Sequence, residues 1–289
     1  MIRSFIPNLF TSLNLFCGLL GIILSFNSGI TEAFFCILLA AIFDFLDGFL
    51  ARLLNAKSEI GAQLDSLADM VTFGALPGIL LFHYLSISFG EYYTPIYQRP
   101  MEHLLIESLG LLVAVFSALR LAKFNVDTEQ TNYFKGLNVP TNALFIGSLG
   151  FIMEFQFHLN FYQPIADNGL PSIMKMHYWD QFDFYMALSF FEPTTHIVIV
   201  LLSSFLLVSP IKMFSLKLKS AKYQDNKPLY WFLMVMVLLG ILNLLPVWFY
   251  VRKFTGFWPT VDFLFIPFGV IVYILTSLIG QSTFNKNEV

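Results

Sequence analysis

Four aspartates stand in two apolar stretches at spacings that suit joint action: Asp44 and Asp47 are three residues apart, Asp65 and Asp69 four apart. Residues three or four apart on a helix share a face, so each pair presents its carboxylates in one direction. The connection between the stretches, Asn55-Ala56-Lys57-Ser58, is short and polar. It makes the two helices antiparallel neighbours and can gather the four acids at one end of them. An ionised Asp at the centre of a membrane helix costs about 2.5–3.5 kcal/mol on insertion scales, so such a cluster either stays largely protonated or is neutralised by cations. Oxygen-only ligands with no His or Cys at a useful spacing point to Mg, Mn or Ca rather than zinc or copper. Two such ions bridged by shared carboxylates suit an in-line displacement at phosphorus.

The residues between the acids are small. Gly48 and Ala51 share a stripe with Asp44 and Asp47, while Ser58 and Gly61 share one with Asp65 and Asp69. Small residues let helices approach closely and leave room for a headgroup against backbone. Arg52 adds a cation with bidentate reach to phosphate. The acids also admit readings without catalysis: polar glue between helices, or the ion path of a cation transporter. A transporter predicts paired short or broken helices in two related halves, and no such internal symmetry is visible.

The elements that must position these residues are membrane helices. With 57% hydrophobic and only 12% charged residues, against roughly 25% charged in soluble domains, most of the chain is solvated by lipid. A span needs about 20 mostly apolar residues, and eight candidates fall at 9–27, 32–54, 61–88, 104–123, 139–159, 186–208, 229–250 and 261–281. The expected fold is an all-α polytopic helical bundle of about eight transmembrane helices. Residues 1–159 would form the catalytic portion, 160–185 a non-cytoplasmic loop, and 186–289 a packing portion of the same membrane domain. With both termini inside, the cytoplasmic ends collect twelve of the sixteen Lys and Arg residues, which satisfies the positive-inside bias. The first apolar run leads into another apolar run, so it reads as a retained helix and not a cleaved signal.

No basic run is interleaved with exposed aromatics, so nucleic-acid binding has no support. Cys17 and Cys36 lie in apolar runs and read as small buried hydrophobes. The five histidines are scattered, none at ligand spacing to another, and carry no assigned chemistry. Glu154 and Glu192 fall near outer helix ends, where solvated or paired acids are expected.

The spacing Asp44-x-x-Asp47-Gly48-x-x-Ala51-Arg52, eight residues, Gly61-x-x-x-Asp65-x-x-x-Asp69 resembles the complete signature of the CDP-alcohol phosphotransferase family, with eight fixed positions over 26 residues. The resemblance implies that family's fold. It implies that Asp44, Asp47 and Asp65 hold two divalent cations, and that Asp69 both touches a metal and deprotonates the acceptor alcohol. Helix geometry alone does not choose between Asp65 and Asp69 as base. It further implies that Gly48, Ala51, Arg52, Ser58 and Gly61 bind the cytidine diphosphate part of the donor. The run Pro7-Asn8-Leu9-Phe10-Thr11 is similar to the family's first-helix entry and would place Asn8 and Thr11 near the nucleotide, although Asn and Thr before an apolar run are also ordinary capping residues.

The strings PNLFTSLNLFCGLLGI, LDSLADMVTFGALPG and LRLAKFNV resemble the integral-membrane phosphatidylserine synthase branch of the family, over roughly residues 5–150. This chain has Lys123 where the branch commonly has Arg, and Asn138 where it commonly has Pro. The likeness implies CDP-diacylglycerol as donor, L-serine as acceptor, CMP release, a bacterial cytoplasmic membrane and a homodimer. Serine is a zwitterion whose carboxylate needs a cation and whose ammonium needs an acceptor; Arg120, Asn125 and Lys135 are the candidates, while Lys123 reads as a snorkelling anchor. Glycerol 3-phosphate or inositol phosphate remain as alternative acceptors, each needing more cations for its extra phosphate.

Overall fold

A computed structural model describes residues 2–27, 29–56, 58–126, 134–156, 188–214, 226–246 and 265–284. The expected non-cytoplasmic loop at 160–185 lies outside them. Among the described residues the chain is helical apart from turns and one short ribbon. In chain order the helices are α1 (Ile2–Phe26), α2 (Ile30–Leu53), α3 (Glu59–Ser88), α4 (Met101–Val126), α5 (Val139–Phe151), α6 (Pro193–Val208), α7 (Lys227–Pro246) and α8 (Phe265–Phe284). Each coincides with one of the eight apolar stretches expected from sequence. The first four are long and apolar enough to cross a membrane, while the other four are shorter apolar helices. The protein is an all-α polytopic membrane protein. Its outward faces carry exposed Phe16, Ile23, Phe35, Ile42, Phe45, Val115, Leu201, Phe205, Val237 and Leu275, the surface that lipid requires and water would not tolerate.

α1 packs along α2 and against α3; α5 packs on α2, α4 on α6, and α8 on both α7 and α5. The crossing of α1 and α3 is close because Gly18 has no Cβ: one placed there would run into the backbone and hydroxyl of Thr72. The turn from α2 to α3 passes through Asn55 at φ 47, a left-handed conformation Asn tolerates better than most residues. Ser58 then caps α3, its hydroxyl accepting from the Gly61 N–H at 3.0 Å, which satisfies one of the orphan donors of that terminus.

Four local features stand out along the helices. α1 begins at Ile2, with Pro7 inside it, so the Pro-Asn-Leu-Phe-Thr entry is helical and not a cap preceding the span. α3 widens into a π-helical turn over Met70–Ala75, immediately after Asp69, a distortion that often marks functional positions. α4 tightens into a 3-10 turn at Ser108–Leu111, and α5 continues as a π-helical turn over Ile152–Gln156. The ribbon pairs β1 (Phe134–Lys135) with β2 (Lys212–Met213) antiparallel, Lys135 opposite Lys212.

The end of the bundle away from the aspartates is locked by side chains. Glu154 accepts from the Thr31 N–H at 3.0 Å and from the Thr31 hydroxyl at 2.8 Å, tying α5 to the start of α2 as a paired acid. Arg99, in the loop between α3 and α4, reaches Glu107 Oε2 and Ser86 Oγ, each at 2.6 Å, and Glu107 is 0% exposed. Removing one partner of a buried pair strands the other charge. Arg99→Met is therefore expected to destabilise the protein by about 3–5 kcal/mol, read as a lowered thermal midpoint in detergent. An unchanged midpoint would show that the pair contributes nothing.

Candidate functional site

The two halves of the acidic motif meet where α2 ends and α3 begins. Asp44, Asp47 and Asp65 each offer a carboxylate oxygen, and these atoms all lie within 4.8 Å of one another. Oxygens ligating a hard divalent cation sit about 2.0–2.6 Å from it, so opposite ligands are at most about 5 Å apart and this separation fits an ion between the three. The surroundings fit as well. Asp47 is only 6% exposed, and the second oxygen of a ligand acid needs a fixed partner. One oxygen of Asp65 is buried without a hydrogen-bond partner among the described residues. Such an atom is costly unless a cation takes its lone pairs.

α1 supplies that partner. The Thr11 hydroxyl, 3% exposed, lies 2.6 Å from Asp47 Oδ2, to which it donates, and 3.2 Å from the Pro7 carbonyl. One turn on, Asn14 Nδ2 donates to Asp69 Oδ1 at 3.1 Å, and the Thr72 hydroxyl donates to the Asn14 carbonyl at 3.0 Å. Asp69 thus stands one turn beyond the tightest trio of acids, oriented by α1 through Asn14 and followed at once by the π-helical turn. Partners of this kind orient ligand carboxylates.

A cleft of about 570 Å³ opens beside the acids, lined by Asn8 and Thr11 of α1, Asp47, Gly48 and Ala51 of α2, and Ser58, Gly61 and Asp65 of α3. All the expected donor-site residues except Arg52 line it. Arg52 is exposed at the end of α2, its Nη2 4.0 Å from where a Cβ on Gly48 would sit. That Cβ would meet nothing nearer, so Gly48 leaves open backbone in the cleft wall.

A second cleft, of about 800 Å³, is lined by Arg120, Lys123 and Lys135 together with the residues that end α6. Arg120 is 7% exposed, and its Nε is buried without a hydrogen-bond partner among the described residues. Its guanidinium lies 6.0 Å from the Phe124 ring and within electrostatic reach of Asp69. Asn125 does not line this cleft. Its amide is engaged by Ser66 of α3, with contacts of 2.9 and 3.2 Å, because the end of α4 turns that residue toward α3. Lys123 does line the cleft, while remaining exposed.

Asn14 and Thr72 are the residues that sequence reasoning passed over, and Lys123 was read there only as a snorkelling anchor. A signal for two of them was present: Thr11 and Asn14 stand three apart on one face of an otherwise apolar helix, and Lys123 lies three after Arg120.

Thr11→Val keeps shape and removes the donor to Asp47. It is expected to lower Mn affinity about tenfold or more, measured by the electron-spin resonance of free Mn during titration, with the thermal midpoint little changed. Unaltered affinity would detach Asp47 from metal binding.

Comparison with known proteins places these residues in a family. Residues 4–166 match the family model for CDP-alcohol phosphatidyltransferase. The chain is 31% identical over 137 residues to a CDP-diacylglycerol–serine O-phosphatidyltransferase of Helicobacter pylori (strain J99), covering 47% of this chain and 52% of that protein. It is 34% identical over 148 residues to the protein of that name from Bacillus subtilis (strain 168), covering 51% of this chain and 76% of the relative. To an archaetidylserine synthase of Methanothermobacter thermautotrophicus it is 36% identical over 162 residues, covering 53% and 63%. The chain spans about half the length of the Helicobacter relative. With the acidic trio, its cleft and this match over more than half of its residues, the chain belongs to the CDP-alcohol phosphatidyltransferase family.

Proposed function

We propose that the protein transfers the phosphatidyl group of CDP-diacylglycerol to L-serine, releasing CMP and forming phosphatidylserine. The observation that carries this reading is the convergence of Asp44, Asp47 and Asp65 beside a glycine-walled cleft, with Asp69 one turn further on. Similarity to relatives named for serine transfer supports the acceptor.

In this reading Asn8, Gly48, Ala51, Ser58 and Gly61 admit the cytidine diphosphate part of the donor, with Arg52 at the end of α2 within reach of a phosphate oxygen. Asp44, Asp47, Asp65 and Asp69 hold two divalent cations, Mg or Mn with Ca possible in their place. When bound, these ions neutralise the diphosphate and stabilise the entering and departing oxygens. Thr11 keeps Asp47 in place, and Asn14 keeps Asp69 aimed. Asp69 accepts the proton of the serine hydroxyl as its oxygen bonds to the phosphorus nearer the lipid. The bond from that phosphorus to the CMP oxygen breaks, and CMP leaves. Arg120 and Lys135 offer cations to the serine carboxylate. Asn125, tied to Ser66, lies on the neighbouring surface of α3 and α4, where it steadies the helix that carries Asp65 and Asp69. The active site and both termini face the cytoplasm of a bacterial membrane, the donor's acyl chains lie in lipid, and the protein works as a homodimer.

One observation favours a second reading. Three cations line the second cleft, more than the sequence alone indicated, and an acceptor bearing a phosphate, such as glycerol 3-phosphate or inositol phosphate, would use them all.

CMP release from CDP-diacylglycerol by purified protein with Mn decides between these acceptors. L-serine is expected to support release and the phosphorylated alcohols are not. Asp69→Asn is expected to lower the rate by about 10²–10⁴, the usual range for a general base. Release with a phosphorylated alcohol alone would replace the serine assignment. Silence with every alcohol would return the acidic cluster to the transporter reading.

A further inference from the structure

The second cleft draws one wall from outside the segment that matches the family. Leu207, Val208, Ser209 and Pro210 stand there with Arg120 and Lys135, whereas the match ends at residue 166. The join is made by backbone. The Leu137 N–H donates to the Leu206 carbonyl at 2.8 Å and the Gly136 N–H to the Ile211 carbonyl at 2.9 Å. Gly136 has φ 78, and a Cβ there would stand 2.5 Å from the Leu207 carbonyl oxygen. No other residue fits that approach without strain.

The ribbon holds Lys135 directly opposite Lys212. The β2 side of this ribbon is held by α8. Tyr273, 3% exposed, donates its hydroxyl to the Phe214 carbonyl at 2.9 Å, next to the end of β2, and its ring lies 4.9 Å from Phe214 and 6.0 Å from Phe232. The same phenol is within electrostatic reach of Arg120.

We propose that Tyr273 is a positioning residue for the acceptor: through β2 it fixes the ribbon that carries Lys135, so that α8 sets how tightly the acceptor's anionic group is held. This rests on the reading of the second cleft as the acceptor site. Helices α6 and α8 are then part of the catalytic apparatus and not only packing.

A double-mutant cycle on the full chain, assayed with CDP-diacylglycerol and Mn, tests it. Tyr273→Phe keeps the ring and removes the hydroxyl. The KM for L-serine is expected to rise about five- to tenfold, the scale of one hydrogen bond, with kcat and the KM for CDP-diacylglycerol within about twofold. In a Lys135→Gln background the same change is expected to have little further effect, because residues acting through one another are non-additive. Phe232→Leu, in the same aromatic cluster, should lower the thermal midpoint and leave the serine KM alone. An unchanged serine KM in Tyr273→Phe, or full additivity with Lys135→Gln, overturns the proposal while leaving the transfer reaction intact. If the unmutated protein uses another alcohol, the serine assignment fails and the cycle is read on that alcohol. If it uses none, the acceptor reading and this inference fall together.

Discussion

Carboxylates set into apolar helices are the constraint on which the rest of this structure depends. Each costs about 2.5–3.5 kcal/mol when ionised at the centre of a membrane helix, and here four lie within two consecutive helices. Three bring oxygens within 4.8 Å of one another, an arrangement that like charges resist in a medium of low dielectric. It is favourable when cations sit among them. Thr11 and Asn14 hold Asp47 and Asp69 from α1, so the first helix is as much part of the site as the two that carry the acids.

Close packing of that first helix follows from the same demand. For Thr11 and Asn14 to reach across, α1 must lie against both α2 and α3, and Gly18 makes the second approach possible. The π-helical turn after Asp69 adds a residue to the helix at the level where Thr72 meets the Asn14 carbonyl. Away from the acids, the buried pair of Arg99 and Glu107 and the capping of α2 by Glu154 hold the helix ends in register. A cluster of self-repelling groups is thus surrounded by fixed contacts that do not depend on it.

Much of this was legible from residue types and spacing. Each of the eight apolar stretches coincides with a helix among the described residues, and four of these helices are long and apolar enough to cross a membrane. The acidic pairs had to share faces, and the short polar turn had to bring them together. Gly48, Ala51, Ser58 and Gly61 line the cleft as their stripes implied. What was not legible depends on contacts between residues distant in sequence. Asn125 carried the right chemistry for an acceptor contact, yet it is taken by Ser66, and nothing local to either residue says so. The π-helical turn in α3 leaves the apolar pattern unbroken, so hydrophobic periodicity passes over it. The two-residue strands that place Lys135 are too short to leave a pattern. Their pairing comes from the far side of the chain, through Gly136 and the end of α6. The helices after residue 185 looked like packing because they lack charge, but the end of α6 lines the second cleft and α8 bonds through Tyr273 to the residue that follows β2.

The most direct measurement is anomalous X-ray diffraction at the manganese edge from crystals grown with Mn and a CDP-diacylglycerol analogue. The account predicts anomalous density within about 2.5 Å of carboxylate oxygens of Asp44, Asp47 and Asp65, with the diphosphate in the cleft lined by Gly48 and Gly61. Density found elsewhere, or a filled cleft with no metal between α2 and α3, would contradict it.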